Sequence, residues 1–507
     1  TRQTDGQTDW TDRYPLFANK KKTKKKMSGL NDATQTGNRI NKRSIVFILA
    51  AAAQRAGYGP VFVEESLGAS MLFRMPKVEL DANHATVLNA AMAKIIEQRL
   101  PVERCSVPRE EAAAWFSKHG YVHAASLIQV CNKTHMDCHV VDLGGEDGRY
   151  MALAYGSFVH STGDLCVEHF EVAYEEPYRH FRLHHAVPTP APSGDGQVFA
   201  FRRTHEPKLM AAYQERKEWG DRLNLHSITS INRALMDGST KRVVQLAEAQ
   251  HDSQMSSIAS QIVNGKDSVP PRLVLIAGPS SSGKTTMAKR LGVLLEAMGV
   301  VPTVISVDSY YRAWQDIDSR GMEHVDWESL KSLNLDLLNE HLLELLRGNE
   351  VKVPEYDMKT SMPMGEEHWT PTQLPAHGLI IMEGIHCLNP DLTSKVPRAE
   401  KFHIMISPLS AIKIDDHHLI SSSQVRLLRR MVRDNLTRGR SANSTLMQWA
   451  AVVRGEHNNI FPNQNNADVV MNSGLAYEAN VLKVFAEPLL KSITPEMPEI
   501  GRASCRE

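Results

Sequence analysis

Apolar residues at helical spacing alternate with short apolar runs between residues 44 and 187 of this chain, which predicts a mixed α/β domain. Helices are expected over 81–97 and 109–120, the second ending at a glycine that can take the left-handed backbone of a helix cap. Strand-like runs follow at 140–143 and 151–155. The front part of the chain is therefore expected to be an α+β domain.

A segment rich in proline and glycine, residues 188–196, interrupts this pattern and predicts a linker. Helical periodicity then dominates, so we interpret residues 188–268 as a linker and a helical connector. Residues 269–492 again alternate strand-length apolar runs with helical patterns, which predicts a second domain of α/β type. The polar residues 1–43 are expected to be a disordered leader and residues 493–507 a tail.

Both ends of the chain differ in character from the rest. A lysine-rich run stops directly before Met27, and we hypothesise that neither residues 1–26 nor residues 501–507 belong to the natural protein. The apolar run Ile45–Ala53 follows three basic residues and could be read as a short signal peptide. We favour a buried strand and helix start of the first domain.

Length and composition narrow the class of protein. A chain of 507 residues is expected to form two or three domains, and 42% hydrophobic with 23% charged residues is typical of soluble globular proteins. Basic and acidic residues balance at 58 each, so no overall charge attracts DNA or a membrane. The six cysteines are scattered without a C-x-x-C pair, which favours a reducing compartment. We expect a cytoplasmic protein.

The strongest chemical signal is a strand-length apolar run, Leu273–Ala277, followed by a glycine-framed turn and a helical pattern. The turn fits G-x-x-x-x-G-K-[ST], in which glycines let backbone N–H groups curl around phosphate oxygens. Lys284 would reach the outer phosphates and Thr285 would offer a hydroxyl to Mg²⁺. The alternative is a chance glycine-rich turn. The predicted ligands of ATP are Gly278, Ser280, Ser281, Ser282, Gly283, Lys284, Thr285 and Thr286.

Two acidic residues end later apolar runs. Asp308 follows the run that begins at Pro302, and Glu383 closes the run that begins at Gly378. Ligands of parallel sheets meet the carboxyl ends of the strands, so Asp308 could take the proton of an attacking hydroxyl. The alternative for Asp308 is a turn or helix-capping aspartate. Glu383 is expected near Mg²⁺.

The stretch Arg426–Arg440 contains six arginines and one acidic residue. A solvated basic face and a nucleic-acid patch are the alternatives to a phosphate-binding lid. Nucleic-acid patches usually interleave aromatic residues, and this stretch has none. Together with the phosphate loop, the stretch favours a lid whose guanidinium groups act on the transferred phosphoryl group.

These motifs, with Val307–Arg312 and Val353–Asp357, resemble the uridine kinase and phosphoribulokinase family over about residues 270–490. The resemblance implies a five-stranded, mostly parallel sheet of the P-loop NTPase type that transfers the ATP γ-phosphate to a nucleoside 5′-hydroxyl. It implies that Asp308 is the general base and that Arg438 and Arg440 form a lid pair on the phosphates. The implied acceptor-binding residues are Tyr311, Asp326, Tyr356, Arg430, Arg433 and Gln448.

Three features depart from the family pattern. Ser361 stands where uridine kinases have a base-contacting histidine, and Asp326-Trp-Glu replaces their D-H-P. The stretch of residues 404–423 is longer than the segment that connects the strand to the lid in the minimal kinase. The departures leave the base specificity open, and none of them touches the phosphate machinery.

The front half resembles the TGS and second additional domain of threonyl-tRNA synthetases, because Gly156–Gly163 is similar to their G-P-H-V-x-S-T-G stretch. That family builds a metal-type editing pocket from H-x-x-x-H and C-x-x-x-H. Only His84 is retained here, since Leu88, Ala154 and Phe158 occupy the other positions. One imidazole cannot hold Zn²⁺, so we predict neither zinc nor editing.

The leading hypothesis is an ATP- and Mg²⁺-dependent uridine- or cytidine-type kinase of nucleoside salvage. It consists of a P-loop-type parallel-sheet kinase domain preceded by an α+β threonyl-tRNA synthetase-like domain. One alternative is a sugar-phosphate kinase of the phosphoribulokinase type. Another is a catalytically weak ATP-binding regulator, with RNA as its partner through the front half. Homo-oligomers are compatible with either reading, and no DNA or membrane partner is expected.

Overall fold

The computed structural model describes residues 35–67, 70–78, 81–145, 148–175, 180–190, 197–201, 206–265, 269–358, 360–410 and 412–493. Within them the front half has two antiparallel sheets, ordered β1-β2-β7-β6 with β8 paired to β7, and β3-β4-β5. Its elements are α1 (Gln35–Arg55), β1 (Phe62–Leu67), β2 (Ser70–Arg74), α2 (Ala82–Glu97), β3 (Val102–Pro108), α3 (Arg109–Lys118), α4 (Val122–Val130), β4 (His135–Asp142), β5 (Arg149–Leu153), β6 (Phe170–Glu175), β7 (His180–Pro190) and β8 (Gln197–Phe201).

Helix α1 corrects two of the sequence-based expectations. Residues 35–43 are helical rather than a disordered leader, and the run Ile45–Ala53 is entirely helix rather than strand and helix start. Every residue of that run is at least 95% buried, so this part of the helix is apolar on all sides and lies in the core of the front half. Uniform burial removes the 3.6-residue periodicity by which helices are recognised. The expectations for residues 1–26 and 501–507 lie outside the described residues.

The two helices predicted in the front half are confirmed. Asp81 caps α2 by accepting a hydrogen bond from the backbone N–H of His84 at 3.0 Å, and Gly120 follows α3 with a φ of +82°. The His84 imidazole lies 2.7 Å from the Asp81 carboxylate, and Leu88 on the same helix is buried. The strand-like runs at 140–143 and 151–155 fall largely within β4 and β5.

The predicted linker at 188–196 is partly strand. Strand β7 continues to Pro190 and pairs antiparallel with β8, placing Pro188 opposite Phe199. Residues 186–190 of β7 pair with β8 only, because the pairing of β7 with β2 and β6 ends before them. A proline in this part therefore removes no backbone hydrogen bond to a second neighbouring strand. Residues 191–196 of the predicted linker lie outside the described residues.

The segment predicted as a helical connector contains three helices, α5 (Pro207–Arg222), α6 (Ile228–Met236) and α7 (Thr240–Asn264). Helix α5 packs against strand β17 (Val469–Asn472) of the second half, and α7 packs against both α6 and the same strand. The connector also contacts the front half, because the Tyr213 hydroxyl of α5 donates to the carbonyl oxygen of Glu64 at 2.6 Å. Among the described residues, no helix has the length and apolar character required to cross a bilayer.

The second half is a parallel five-stranded sheet with helices, ordered β10-β15-β9-β16-β17. Because all neighbours are parallel, the carboxyl ends of the strands meet at one edge, and β9 is central. This confirms the predicted α/β class with a parallel kinase sheet. The remaining elements are β9 (Leu273–Ala277), α8 (Lys284–Ala297), β10 (Pro302–Ser306), α9 (Trp314–Ile317), α10 (Leu335–Leu346), β11 (Val351–Val353), β12 (Tyr356–Asp357), β13 (Met362–Pro363), β14 (Thr370–Thr372), β15 (Leu379–Glu383), β16 (Lys401–Ser407), α11 (Ser422–Arg438), α12 (Ala442–Gly455) and α13 (Glu478–Lys491).

Candidate active site

The phosphate loop connects the fully buried strand β9 to the first residue of helix α8, Lys284. Gly283 caps the helix with a φ of +99°, a left-handed conformation that side chains disfavour. A Cβ atom at Gly278 would lie 2.2 Å from the carbonyl oxygen of Ile406, so only glycine fits there. The loop therefore has the backbone geometry that its sequence motif requires.

The polar groups of the loop are arranged at its mouth. The Lys284 ammonium donates hydrogen bonds to the carbonyl oxygens of Gly278 at 3.0 Å and Pro279 at 3.4 Å. The hydroxyl oxygens of Ser281 and Ser282 are buried, and within the described residues they have no hydrogen-bond partner. Buried polar atoms of this kind usually have a partner, so these two hydroxyls suit a bound oxyanion. Thr286 follows on the exposed first turn of α8.

Thr285 and Glu383 lie side by side. The Thr285 hydroxyl donates to a Glu383 carboxylate oxygen at 2.8 Å, and the Ser306 hydroxyl lies 3.4 Å from the same oxygen. Glu383 is the buried last residue of β15, the strand between β9 and β10. Hydroxyl and carboxylate oxygens are ligands that Mg²⁺ prefers, so the pair fits the predicted metal site.

Asp308 lies two residues beyond Ser306, the residue that is in register with Glu383 across the parallel strands β10 and β15. Its backbone N–H donates to the Ser306 hydroxyl at 3.3 Å, which fixes the turn after the strand. Burial and repulsion from Glu383 raise the pKa of Asp308 to about 6, against the opposing influence of Lys284. The carboxylate thus shares one electrostatic environment with the phosphate-loop lysine.

Helix α11 lies over the phosphate loop. Arg430 donates to the Ser280 hydroxyl at 2.8 Å and to the Gln448 side chain at 3.3 Å, and Arg440 donates to the same Gln448 oxygen at 3.0 Å. The side chain of Arg438, in the last turn of the helix, is held by Asp434 at 3.3 Å. Gln448 therefore joins Arg430, which was predicted on the acceptor side, to Arg440 of the predicted lid, while Arg438 is held on the same helix by Asp434.

Arg433 is placed differently from its neighbours. Its guanidinium donates twice to the buried carboxylate of Asp434, at 2.9 and 3.1 Å. It is nevertheless close enough to Asp308 to lower the pKa of that carboxylate, as Arg438 does. Asp434 therefore holds part of the positive charge of the helix in place.

Two arginines that contact the loop were not singled out from the sequence. Arg426 donates to the carbonyl oxygen of Ser280 at 3.3 Å, and Arg429 donates to the carbonyl oxygens of Ser281 and Ser282 at 3.4 Å each. Residues 426, 429, 430 and 433 follow helical i, i+3, i+4, i+7 spacing, a signal in the sequence that places them on one face. Both missed arginines are also paired with acidic residues, Arg426 with Glu456 and Arg429 with Glu478.

Three aromatic rings cluster on the acceptor side. The ring centroid of Tyr311 lies 5.4 Å from that of Tyr356 and 5.9 Å from that of Trp327. The Tyr311 hydroxyl also donates to the backbone carbonyl of Trp327 at 3.1 Å. Asp326 precedes this tryptophan and is exposed, with its carboxylate accepting from the backbone N–H of Glu328 at 3.2 Å. The structure therefore brings Tyr311 and Tyr356 together and places Asp326 beside them.

Glu328 is a further acidic residue that the motif analysis did not assign to the site. Burial raises its pKa to about 7, and Arg430 and Lys284 act in the opposite direction. It occupies the last position of the Asp326-Trp-Glu departure from the family pattern. The departure therefore adds an ionisable group near the phosphate-loop lysine.

A phosphate loop on the central strand β9, carboxylates at the ends of the neighbouring pair of strands β15 and β10, and an arginine helix above them define a phosphate-loop domain of kinase type. Residues 273–478 match the model of the phosphoribulokinase / uridine kinase family. The chain is 32% identical over 205 residues to a uridine kinase of Brevibacillus brevis, covering 40% of this chain and 86% of that protein. It therefore belongs to the phosphoribulokinase / uridine kinase family.

Two further comparisons are similar in extent. A uridine kinase of Vibrio atlanticus is 32% identical over 225 residues, which cover 43% of this chain and 96% of that protein. The solved structure of a D-glycerate 3-kinase from Cryptococcus neoformans is 15% identical with a TM-score of 0.27, covering 45% of this chain and 87% of the other. The family match begins at residue 273, so the threonyl-tRNA synthetase resemblance of the front half stays a prediction.

Proposed function

We propose that this protein transfers the γ-phosphoryl group of ATP to the 5′-hydroxyl of a nucleoside. The observation that carries the proposal is the position of Asp308. It follows strand β10, beside the strand that ends on Glu383, and shares its electrostatic environment with Lys284. A carboxylate at that point has access to an acceptor hydroxyl placed against the phosphate loop. The names of the similar uridine kinases support a nucleoside acceptor.

In the proposed reaction the 5′-oxygen attacks the γ-phosphorus and its proton passes to the Asp308 carboxylate. The bond between the γ-phosphorus and the bridging oxygen breaks, and ADP leaves with that electron pair. Lys284, Arg438 and Arg440 stabilise the negative charge that spreads over the phosphoryl oxygens. In-line transfer needs no covalent enzyme intermediate, so positioning and charge account for the catalysis.

The metal expected with ATP is Mg²⁺, which Thr285 and Glu383 would hold and which neutralises charge on the phosphates. The two side chains have the oxygen donors that the ion prefers, and they are already 2.8 Å apart. The Thr285 hydroxyl is on the first turn of α8, where phosphate oxygens also meet backbone N–H groups.

On the acceptor side we propose that Tyr311 and Tyr356 contact the nucleoside with their rings and that Asp326 accepts hydrogen bonds from its ribose hydroxyls. Arg430, Arg433 and Gln448 would complete this side of the site. The Gln448 amide oxygen accepts from both Arg430 and Arg440, so it links the acceptor side to the lid.

A sugar phosphate is the second candidate acceptor. It is favoured by the number of arginines near Asp308, since Arg433 and Arg438 both lower the pKa of its carboxylate. Guanidinium groups are well suited to bind a second phosphate. The base-contacting histidine of uridine kinases is replaced by Ser361, which weakens the argument for a particular base.

The test is a panel of nucleosides and sugar phosphates incubated with MgATP, with ADP release and the phosphorylated product both measured. The proposal expects a nucleoside 5′-monophosphate as the product. It expects turnover to be lost in Asp308→Asn and retained in the matched control Asp336→Asn, which changes an exposed aspartate of α10. Lys284→Ala should weaken both nucleotide binding and turnover.

Each other outcome of the panel has a definite meaning. Phosphorylation of sugar phosphates alone would replace the nucleoside by the second candidate. ATP binding without any acceptor-dependent ADP release would leave a nucleotide-binding regulator and overturn the kinase proposal.

A further inference from the structure

The stretch between strand β16 and helix α11 is longer than in a minimal kinase, and it forms a hairpin that penetrates the front half. We call residues 412–420 the plug. The plug is closed at its base, where Ile420 N–H donates to the Ile412 carbonyl at 3.1 Å and Ile414 N–H donates to that of His418 at 2.8 Å. Four of its polar residues are less than a tenth exposed: Lys413, Asp415, Asp416 and His417. Asp415 accepts hydrogen bonds inside the hairpin, from the backbone N–H groups of His417 and His418, whereas Lys413 and Asp416 have partners outside it.

Asp416 provides the most specific of these contacts. Its carboxylate accepts hydrogen bonds from the backbone N–H groups of His123 at 3.3 Å and Ala124 at 2.9 Å, in the first turn of α4. Tyr121, the residue that precedes α4, makes no side-chain capping bond. Asp416 therefore caps a helix of the front domain from the kinase domain. Its own carbonyl also accepts from Val63 N–H at 2.9 Å.

The histidines of the plug fit between aromatic side chains of the front domain. The His417 imidazole lies 3.3 Å from the Tyr150 hydroxyl, and its ring centroid is 5.1 Å from that of Tyr121. The ring of His418 packs edge-on against Tyr155, 4.8 Å between centroids. The two histidines therefore add side-chain packing to the hydrogen bonds that Asp416 makes with the front domain.

Lys413 forms an ion pair with the buried Glu64 of β1 at 3.0 Å. Glu64 also pairs with Arg74 of the front domain at 2.7 Å and lies 3.6 Å from Lys217 of the connector. One carboxylate therefore holds cations from the front domain, the connector and the kinase domain. Burial alone would raise the pKa of Glu64, yet the three cations lower it to about 2. Removing Glu64 would leave three cations close together without the carboxylate that they share.

The plug leads directly into the arginine helix. Ser421 follows Ile420 and caps α11 through a capping box with Gln424. Arg426 and Arg430 then contact the phosphate loop within the next two turns of the helix. Because only Ser421 separates the plug from the continuous helix α11, the placement of the plug sets the placement of the arginines.

We propose that the front domain positions the arginine helix on the phosphate loop, acting through the plug, with Asp416 and Lys413 as positioning residues. This proposal rests on the proposed function in one respect, which is that the arginines are taken to act in phosphotransfer. The front domain is then a required part of the nucleotide site rather than a separately acting module.

The test uses the full chain and compares Asp416→Ala with Asp137→Ala. The control removes an exposed aspartate of the front domain, which within the described residues forms an ion pair only with the exposed Arg104. Hydrogen exchange should become faster by roughly tenfold at the start of α4 and also in residues 422–432 of α11, since helix caps have about that effect on an equilibrium. The control should leave both segments unchanged, and Asp416→Asn, which keeps one acceptor oxygen, should restore part of the protection.

The second readout is kinetic. Asp416→Ala should lower kcat/KM for ATP by roughly tenfold. Combined with Arg430→Lys, its effect should be smaller than the product of the two single effects, because both changes act on the same arginine contact. A purely structural role for the plug would give effects that multiply.

Faster exchange confined to α4 would overturn the proposal, as would multiplicative kinetics in the double variant. Should Asp416→Ala fail to fold, Tyr150→Phe removes the hydroxyl that lies 3.3 Å from His417 and 3.0 Å from the Tyr121 hydroxyl, and faster exchange in α11 at smaller amplitude is then the expected result. Exchange in α11 is measured without any acceptor. A chain that proves inactive on nucleosides would therefore overturn the proposed function and leave this proposal to be decided by the exchange data.

Discussion

Asp308→Asn should separate catalysis from stability, because the same carboxylate is proposed to be useful in the reaction and unfavourable in the fold. Asparagine has nearly the same shape but cannot accept a proton at neutral pH. We expect kcat to fall by roughly 10²- to 10⁴-fold, the usual contribution of a general base. ATP binding should be retained, because Asp308 acts on the acceptor hydroxyl and not on the phosphate loop.

The expected effect on stability follows from the pKa of Asp308, which rises from the ordinary 3.8 to about 6 in the folded chain. The unfolded chain therefore releases this proton first, and the folded chain loses stability as the pH rises from about 4 to about 6. Each pKa unit corresponds to about 1.4 kcal/mol, so the penalty at pH 8 is at most roughly 3 kcal/mol. Asparagine removes the charge and its repulsion from Glu383.

The assays are acceptor-dependent ADP release for turnover, calorimetric titration for ATP binding, and thermal unfolding at pH 8 and pH 4.5. The variant should unfold at a higher temperature than the natural sequence at pH 8, with the difference shrinking at pH 4.5. A kcat of the variant equal to that of the unsubstituted chain would refute the role of Asp308 as base. A lower unfolding temperature at pH 8 would refute the electrostatic reasoning.

Three further predictions concern the same domain. Turnover of the natural sequence should fall about tenfold per pH unit below pH 6, as Asp308 becomes protonated, in a profile of kcat against pH. Gly278→Ala should abolish ATP binding in a calorimetric titration, because the new methyl group would lie 2.2 Å from the Ile406 carbonyl oxygen. Glu456→Gln should lower the free energy of unfolding in urea by roughly 3–5 kcal/mol, since the buried Arg426 loses its charged partner. A loss below about 1 kcal/mol would contradict that pairing.

The phosphate site could be predicted from the sequence because its parts are local or follow from topology. The loop motif specifies its own strand, turn and helix, and the structure has all three over residues 273–297. Parallel pairing then brings the ends of neighbouring strands together, so Asp308 and Glu383 could be assigned to one edge without knowledge of the strand order. The roles of these residues in catalysis remain proposals.

The front half was harder to predict, because its signals are not periodic. The run Ile45–Ala53 is buried on every side, so no polar face marks it as a helix. The prolines of residues 188–190 indicated a linker. They lie instead at the far end of β7, which pairs with β8 alone and where proline is tolerated. In both cases a tertiary environment outweighed a correct local rule.

The contacts of the plug could not be foreseen, because each joins residues far apart in sequence. The sequence shows that the stretch between strand and lid is longer than in a minimal kinase, but its length does not identify the residues that it contacts. The capping bond from Asp416 crosses 292 residues to Ala124, and the Lys413 ion pair crosses 349 residues to Glu64. Such pairs leave no periodic pattern in a single sequence, since either side chain alone reads as an ordinary polar residue of a loop.

The arginine helix shows how such distant partners change the meaning of a visible pattern. Six arginines suggest six phosphate contacts, but Arg426 and Arg429 are each paired with a carboxylate from a later helix or turn, at Glu456 and Glu478. Those two arginines also bind backbone carbonyls of the loop, so their charge is used to fix the loop rather than to meet a phosphate. Substituting Arg426 should therefore act through stability. Substituting Arg440, whose guanidinium in the described part of the chain is held only by the neutral Gln448, should act through kcat.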